Sequence, residues 1–167
     1  MEMEVYRVDG SSPEWLFKAY DYVRTDAFCF EQNIPIEIEF SHDDPREDTL
    51  AIVLTEEHKP IAGCRITYPE PGIGKIGRVC VIREKQKSGV GRRLIAEAEK
   101  WILEQDVHHI VINSQDRAAA FYHKLGYVTN PEVDPEIYEH PGTARKEQKE
   151  EHPDLGFRCV LVEKYTD

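Results

Sequence analysis

Two glycines, two residues apart, are the first feature of the sequence that suggests a chemical role. They lie in the stretch QKSGVGRRL (86–94), which follows the apolar run 77–82 and precedes a pattern of helical spacing. A turn that leads from a strand into a helix collects unpaired backbone N–H groups and the positive end of the helix dipole, so it can bind a phosphate. Gly89 and Gly91 leave the backbone open to such an anion, although a purely structural turn explains the stretch alone equally well. Basic residues can add charge at its rim: Lys87, Arg92 and Arg93.

Three phosphate-binding motifs compete for this stretch. A P-loop reads GxxxxGK[ST] and supplies a lysine and a magnesium-binding hydroxyl, and neither stands at the required position here. A dinucleotide-binding fold needs GxGxxG and alternating βαβ units, whereas this stretch has two of those glycines and follows three strands with no helix between them. The third motif is Q/R-x-x-G-x-G/A, on which the pyrophosphate of coenzyme A can sit. The surrounding elements must decide between them.

Hydrophobic spacing predicts the elements that position this turn. Strands are expected at 5–8, 49–56, 61–69, 73–82, 109–113, from 127 onward and at 157–165, and helices at 14–29, from the glycines to about 105 and at 116–125. A serine of the pair Ser11–Ser12 is expected to cap the first helix, and Gly126 to end the last. The order β-α-βββ-α-β-α-ββ predicts an α+β (mixed α/β) fold, with a mixed sheet flanked by helices in a single domain of residues 1–167.

Composition limits the classes of function. The formal net charge of −11 argues against nonspecific nucleic-acid binding, which depends on lysine and arginine, and leaves a cationic substrate or partner open. The start of the sequence lacks the pattern of a signal peptide and no segment has the apolar length of a membrane helix, so a cytoplasmic protein without a membrane partner is expected. The four cysteines are scattered without a CxxC pair, which predicts reduced thiols and no metal site.

Two segments in the expected order resemble the signatures of the GNAT superfamily of N-acetyltransferases. The first is VCVIREKQKSGVGRRL (79–94), and the second is VINSQDRAAAFYHKLGY (111–127), which contains A-x-x-F-Y-x-x-x-G-[FY]. The run RTDAFCFEQNIP (24–35) is similar to R-x-x-x-F-x-x-E-Q-x-x-P of the small bacterial ElaA-like branch. The resemblance implies a mostly antiparallel sheet, splayed between the fourth and fifth strands, and acetyl-CoA as the cosubstrate.

The resemblance also implies roles for individual residues. Backbone groups of Val79, Cys80 and Val81 would bind the pantetheine chain, and the Val81 N–H would polarise the thioester carbonyl. Asn113 would hold pantetheine, and Tyr122 would protonate the departing thiolate. The turn would bind the pyrophosphate through Gln86, Lys87, Ser88, Gly89, Val90, Gly91 and Arg92.

Each of these roles has a structural alternative. Tyr122 also belongs to the apolar stripe of its helix, Asn113 can simply form a turn after a strand, and Cys80 is expected to be a packing residue rather than a nucleophile. Arg78 would line the acceptor channel or make a surface ion pair. The general base is sought in the acid-rich loop 31–48, with Glu31 as the first choice among several candidates: Glu31, Glu37, Glu39, His42 and Asp43.

The function predicted from these residues is transfer of an acetyl group from acetyl-CoA to a primary amine, by direct attack in a ternary complex. The acidic loop favours a cationic small molecule or a lysine or N-terminal amine as the acceptor. A noncatalytic acyl-CoA-binding or sensing module and a structural domain without cofactor remain alternatives. The charged, proline-rich segment 130–156 is expected to be a surface excursion with a helical turn near 144–150. It would cover the site, mediate a homodimer or be simply exposed.

Overall fold

A computed structural model describes residues 2–40, 45–138 and 158–167. Its helices and strands are β1 (Met3–Val8), α1 (Glu14–Arg24), a π-helix (Thr25–Glu31), α2 (Ile36–Glu39), β2 (Ala51–Glu56), β3 (Lys59–Glu70), β4 (Ile73–Val81), α3 (Val90–Glu104), β5 (His109–Gln115), α4 (Ala119–Lys124), β6 (Val128–Thr129) and β7 (Cys159–Tyr165). Short 3₁₀ turns lie at Arg46–Asp48, Arg83–Lys85, Asp116–Ala118 and Pro135–Tyr138. The predicted order of strands and helices is confirmed, and the predicted helical turn near 144–150 lies outside the described residues.

The strands form a seven-stranded mixed sheet in the order β1-β2-β3-β4-β5-β7-β6. The pairs β1–β2, β2–β3, β5–β7 and β6–β7 are antiparallel, and β4–β5 is parallel. The parallel register runs from Ile73 opposite His109 to Ile76 opposite Ile112, although β4 continues to Val81 and β5 to Gln115. The mixed α/β fold predicted from the sequence is therefore confirmed.

The described residues group into two compact units. The first comprises Met1–Ile66 and Arg78–Trp101, and the second Thr67–Gly77 and Ile102–Asp167. The single domain expected from the sequence stays a prediction. None of the helices in the described ranges combines the length and the apolar composition needed to cross a lipid bilayer.

The β2–β3 hairpin of the first unit shows how local residues set a register. Glu57 and His58 have positive φ values of 52° and 67°, as both central residues of a type I′ turn require. Pro60 then lies opposite Thr55, and the register shifts between Leu54 and Thr55. The shift has a physical cause, because proline has no N–H with which to continue the ladder.

Helix α3 is amphipathic in the way that its sequence predicts. Its buried residues recur at helical spacing: Val90, Leu94, Ile95, Ala98 and Ile102, each at most 4% exposed. Since these side chains form one stripe, the start of the helix is fixed by packing along its length rather than by the turn alone.

Gly126 ends α4 in the second unit, as the sequence predicts. Its φ of 96° is in the left-handed region. The Gly126 N–H donates to the His123 carbonyl over 3.1 Å and the Tyr127 N–H to the Tyr122 carbonyl over 3.1 Å, which together form a Schellman motif. This C-cap fixes the direction in which the chain leaves Tyr122.

The first helix differs from its prediction at both ends. Pro13 is the N-cap residue and no side chain caps the helix. The serines instead close the preceding turn, since the Asp9 N–H donates to Ser12 Oγ over 2.9 Å and Ser11 Oγ donates to Asp9 Oδ1 over 2.6 Å. At the other end, the α-helical winding stops at Arg24 and continues as a π-helix to Glu31. A hydrophobic pattern near 3.6 residues per turn does not reveal this change of winding.

Candidate active site

The glycine turn lies at the amino-terminal end of α3. Residues 86–89 are exposed, and Gly89 has a φ of 87°; beyond its chain neighbours, no atom of the described residues lies within 4 Å of the position a Cβ would take. Lys87 also has a positive φ, of 63°. The Arg93 N–H makes a helical bond to the Gly89 carbonyl over 3.2 Å, so the preceding amides belong to the open first turn of the helix. An exposed, open helix N-terminus of this kind fits the binding of an anion such as pyrophosphate.

The charged side chains around this turn differ in their exposure and in the ion pairs that they make. Arg93 donates to Glu97 over 3.0 Å, one turn further along α3, so its charge is partly compensated. Lys87 and Arg92 are exposed at the rim. Ser88 donates its hydroxyl to the Lys85 carbonyl, which tightens the turn. Lys87 and Arg92 are therefore the side chains best placed to add charge beside the backbone amides.

Gln86 connects the turn to the end of β4 and to the acid-rich loop. Its Nε2 donates to the Val81 carbonyl oxygen over 3.1 Å and also to the Glu31 carboxylate. Glu31 is exposed, yet this bond holds its carboxylate beside the last residue of β4. The structure thus brings Glu31 of the acid-rich loop beside two residues of the segment 79–94.

The π-helix positions Glu31 and is itself tied to the segment that follows β4. Asp26 is 8% exposed and accepts hydrogen bonds from the Arg83 N–H over 3.0 Å and from the Arg83 guanidinium over 3.1 Å. The guanidinium also lies over the Phe30 ring, 5.9 Å from its centroid. The hydrogen bond to Asp26 raises the pKa of the Arg83 guanidinium, which therefore stays a cation. Local π-winding frequently occurs at functional sites, because it redirects side chains without ending the helix.

Glu39, one of the candidate bases, is buried in an ion-pair network. Its carboxylate accepts from Arg24 Nε over 3.1 Å and from an Arg78 guanidinium nitrogen over 3.1 Å, and both arginines also donate to its carbonyl oxygen. Arg24 is 1% exposed and lies over the rings of Tyr20 and Phe40, at 5.0 and 4.2 Å. Two guanidinium groups therefore surround this buried carboxylate and are bonded to it. Of the two predictions for Arg78, an ion pair is present, although it is a partly buried one.

The remaining candidate bases are distributed less favourably. Glu37 is exposed on the short helix α2. His42 and Asp43 lie outside the described residues. Within the described part of the loop, Glu31 is the acid that Gln86 links to the end of β4, and its role as a base stays a prediction.

The side chains in the carboxyl-terminal half of β4 are buried or half-buried. Val79 and Val81 are half-buried. Cys80 points inward, is 3% exposed and donates its thiol to the Gly63 carbonyl over 3.4 Å. Burial raises the pKa of this thiol well above its ordinary range, so it stays protonated and is a poor nucleophile. The interpretation of Cys80 as a packing residue is consistent with these contacts.

The second unit carries Asn113 and Tyr122. Asn113 is half-buried and lies opposite Leu161 of β7, one residue beyond the parallel register with β4. Tyr122 is 5% exposed and makes edge-to-face contacts with Phe121 and Tyr127, whose ring centroids lie 5.1 and 5.9 Å away. The aromatic packing that the structural alternative predicted for Tyr122 is present, and it fixes the ring in one orientation.

Sequence reasoning missed the π-helix, the Gln86 link and the arginine pairing of Glu39. Arg24 and Glu31 both stand in the run 24–35 that carries the ElaA-like pattern, so their types were visible. Their partners were not, because Arg24 pairs across 15 residues and Gln86 reaches Glu31 across 55. Long-range pairing of this kind leaves no periodic signal in a single sequence.

Comparison with known proteins identifies the family to which the chain belongs. Residues 18–140 match the model of the acetyltransferase (GNAT) domain. The chain is 33% identical to the uncharacterised N-acetyltransferase YjcF of Bacillus subtilis over 106 residues, which are 64% of this chain and 74% of that protein. Two solved structures share the fold over nearly their whole length. A putative N-acetyltransferase from Lactobacillus plantarum has a TM-score of 0.77, 22% identity and 100% coverage of both chains. ElaA from Escherichia coli has a TM-score of 0.73 and 20% identity, with 98% of this chain and 99% of that chain covered.

The family match spans well over half of the chain and includes the glycine turn, Asn113 and Tyr122. The chain therefore belongs to the GNAT family of acetyltransferases. The family defines an acyltransferase that uses an acyl-CoA donor.

Proposed function

We propose that the protein is an N-acetyltransferase that transfers the acetyl group of acetyl-CoA to a primary amine by direct attack in a ternary complex. The observation that carries the proposal is the exposed turn 86–89 at the start of α3. There the left-handed Gly89 leaves the first amides of the helix open to an anion. The acceptor belongs to the class of small-molecule, peptide or protein amines.

The donor would be held by backbone as much as by side chains. The amides of Val90, Gly91 and Arg92 would bind the pyrophosphate, with Lys87 and Arg92 adding charge. Gln86 and Ser88 would keep the turn in shape, since both bond to neighbouring carbonyls. Val79, Cys80 and Val81 would pair with the pantetheine chain as an additional strand. Asn113 would contribute its side-chain amide, a role that rests on its match to the family motif.

The proposed reaction includes two proton transfers, one from the attacking amine and one to the leaving sulfur. The amine nitrogen attacks the thioester carbonyl carbon, and the Val81 N–H would stabilise the charge that develops on the carbonyl oxygen. The carbon–sulfur bond then breaks and the electron pair leaves on sulfur, where Tyr122 would supply a proton. Glu31 would accept the proton that the amine loses, directly or through water. The products are an amide and free coenzyme A.

The electrostatics of the described loop change the expectation for the acceptor. Glu39 is already compensated by Arg24 and Arg78, so it adds little attraction for a cation. Four acids of the described loop are exposed and could favour a cationic amine: Glu31, Glu37, Glu47 and Asp48. Segment 130–156 remains a proposed surface excursion that would border the acceptor site or serve a homodimer.

The test is an assay of thiol release from acetyl-CoA across a panel of amines, with polyamines, amino acids and lysine peptides as probes. Amine-dependent release of coenzyme A, with matching acetylated product by mass spectrometry, is the expected result. A parallel thermal melt with coenzyme A separates binding from turnover. A rise in melting temperature without release for any amine would instead identify a noncatalytic acyl-CoA-binding module, and no rise at all would identify a domain without this cofactor.

A further inference from the structure

Arg78 has a backbone conformation that is rare inside a strand. Its φ is 52°, in the left-handed region, although it lies within β4. Elsewhere in the described ranges, the residues other than glycine that have a positive φ lie in turns or loops. A residue with a Cβ is strained in this conformation, so the conformation persists only where the surrounding contacts hold it. The contacts of Arg78 therefore show what the strain depends on.

The guanidinium group of Arg78 is bonded twice to Glu39. Its Nη1 donates to the Glu39 carboxylate and to the Glu39 carbonyl oxygen, each over 3.1 Å. The side chain of Glu39 is 5% exposed and that of Arg78 is 23% exposed, so water competes little for these bonds. Charge-assisted hydrogen bonds in such surroundings are among the strong ones, and they can hold a strained residue in place.

Glu39 is itself fixed from the side of α1. Arg24, which is 1% exposed, donates to the same carboxylate oxygen over 3.1 Å and to the Glu39 carbonyl over 3.0 Å. A chain of buried or partly buried contacts thus runs from the end of α1 through Glu39 to the interior of β4. None of the roles assigned above to donor binding or proton transfer uses this chain of contacts.

The place of Arg78 along β4 gives these contacts a function. Val79, the first residue proposed to bind pantetheine, follows it directly, at a point where β4 is no longer in register with β5. The Ile82 N–H donates to the Ile61 carbonyl of β3 over 2.9 Å. Since the polar backbone groups of successive strand residues point alternately to the two edges, those of Val81 point away from β3. A left-handed residue interrupts this alternation and redirects the residues after it.

We infer that Arg78 is a positioning residue for the donor: its bonds to Glu39 hold the left-handed conformation that directs the backbone groups of Val79 and Val81 toward pantetheine. This role rests on the proposed binding of the donor along β4. It gives the ion pair between Arg78 and Glu39 a part in donor binding besides its part in stability, and it connects the acid-rich loop to the donor strand.

The test compares Arg78→Ala with Arg78→Gly. Both substitutions remove the guanidinium group, but only alanine keeps the Cβ that makes the left-handed conformation costly. Arg78→Ala should relax toward an extended conformation and bind acetyl-CoA about tenfold more weakly in calorimetry, a factor that matches the strain of one left-handed residue. Arg78→Gly should recover most of the affinity. A residue that only stabilised the strand would give the opposite order, because glycine weakens a strand more than alanine does.

Glu57→Ala and Glu57→Gly are the matched controls. Glu57 has the same φ of 52° but is exposed in the β2–β3 turn. Both variants should bind acetyl-CoA as the parent protein does, although they differ in backbone strain in the same way. Equal affinities of Arg78→Ala and Arg78→Gly would overturn the inference, as would an affinity of Arg78→Ala equal to that of the parent protein.

A second measurement needs neither donor nor turnover. Exchange of the Ile82 amide hydrogen, which reports on the pairing of this segment with β3, should accelerate roughly tenfold in Arg78→Ala and less in Arg78→Gly. Failure of the parent protein to bind acetyl-CoA would refute the proposed function, and the exchange rates alone would then decide whether Arg78 holds this segment. Equal exchange in the parent protein and Arg78→Ala would show that it does not.

Discussion

The side-chain amide of Gln86 donates a hydrogen bond to the backbone carbonyl of Val81 over 3.1 Å. The same nitrogen donates to Glu31, so the turn at the start of α3 holds a carboxylate of the acid-rich loop beside the end of β4. The proposed donor site and the proposed base are therefore linked by one side chain. This link makes Glu31 the first acid to test.

Glu31→Gln should lower kcat by about 10²-fold, the lower end of the range for a general base. Affinity for acetyl-CoA, measured by calorimetry, should change little. Glu37→Gln is the control, as Glu37 is exposed on the neighbouring helix α2. Equal effects of the two substitutions would refute a specific role for Glu31.

Substitutions in the glycine turn should weaken donor binding, and Gly89→Val should also strain the backbone at its positive φ. Gly89→Val and Gly91→Val should weaken acetyl-CoA binding roughly 10- to 100-fold, because they block charge-assisted hydrogen bonds to the backbone. Arg92→Ala should weaken it by about fivefold at most, as expected of an exposed charge. Gly72→Val is a matched control, since Gly72 has a similar φ of 81° and equally open space in the β3–β4 turn. It should reproduce the backbone strain without the loss of affinity, and unchanged affinity in the Gly89 variant would remove the phosphate assignment.

Tyr122→Phe should lower kcat by about 10²-fold with little change in acetyl-CoA affinity, since it removes a general acid and keeps the ring. The edge-to-face contacts with Phe121 and Tyr127 should survive, so the melting temperature should stay close to that of the parent protein. Steady-state kinetics and a thermal melt measure both effects. An unchanged kcat would mean that Tyr122 serves packing alone.

Asp26 should act as a positioning residue for the segment between β4 and the glycine turn. Asp26→Ala removes the acceptor for both the Arg83 N–H and its guanidinium, so exchange of the Arg83 amide hydrogen should accelerate roughly tenfold or more. KM for acetyl-CoA should rise while kcat changes little. Arg83→Ala retains the backbone N–H at position 83, which can still donate to Asp26. The rate of amide exchange and the KM for acetyl-CoA should therefore both change less than in Asp26→Ala. A fall in kcat with unchanged KM would contradict the positioning role.

Glu39→Gln should destabilise the protein by about 3 kcal/mol in urea unfolding, because the buried Arg24 loses its buried charge partner and keeps the half-exposed Asp21 carboxylate, 3.8 Å away. Arg78 is 23% exposed at its side chain and can regain solvent, so Arg24 accounts for most of the expected cost. Glu37→Gln again serves as the control and should stay within about 0.5 kcal/mol. If the two variants unfold at the same denaturant concentration, the network does not contribute to stability.

The sequence predicted more of the fold than of the candidate site. Helical and strand periodicity predicted the element order, and Gly126 predicted its own left-handed C-cap, because these features depend on neighbours within a few residues. The link between Gln86 and Glu31 depends on how two distant segments meet, and the π-winding of Thr25–Glu31 depends on tertiary contacts such as Asp26 with Arg83. The burial of Glu39 was equally invisible, since a carboxylate in an acid-rich loop is expected to be solvated until its two arginine partners are known.

The π-helix also sets the direction in which the side chains that follow it point. In an α-helix each residue advances the direction of the side chain by about 100°. The wider winding over Thr25–Glu31 accommodates a residue that a regular helix of the same rise would not. Removing one residue from this stretch would restore regular winding and rotate Glu31 away from Gln86, while Leu16, Tyr20 and Val23 upstream would keep their places in the core. The length of this segment, as much as the identity of Glu31, therefore sets where the carboxylate lies.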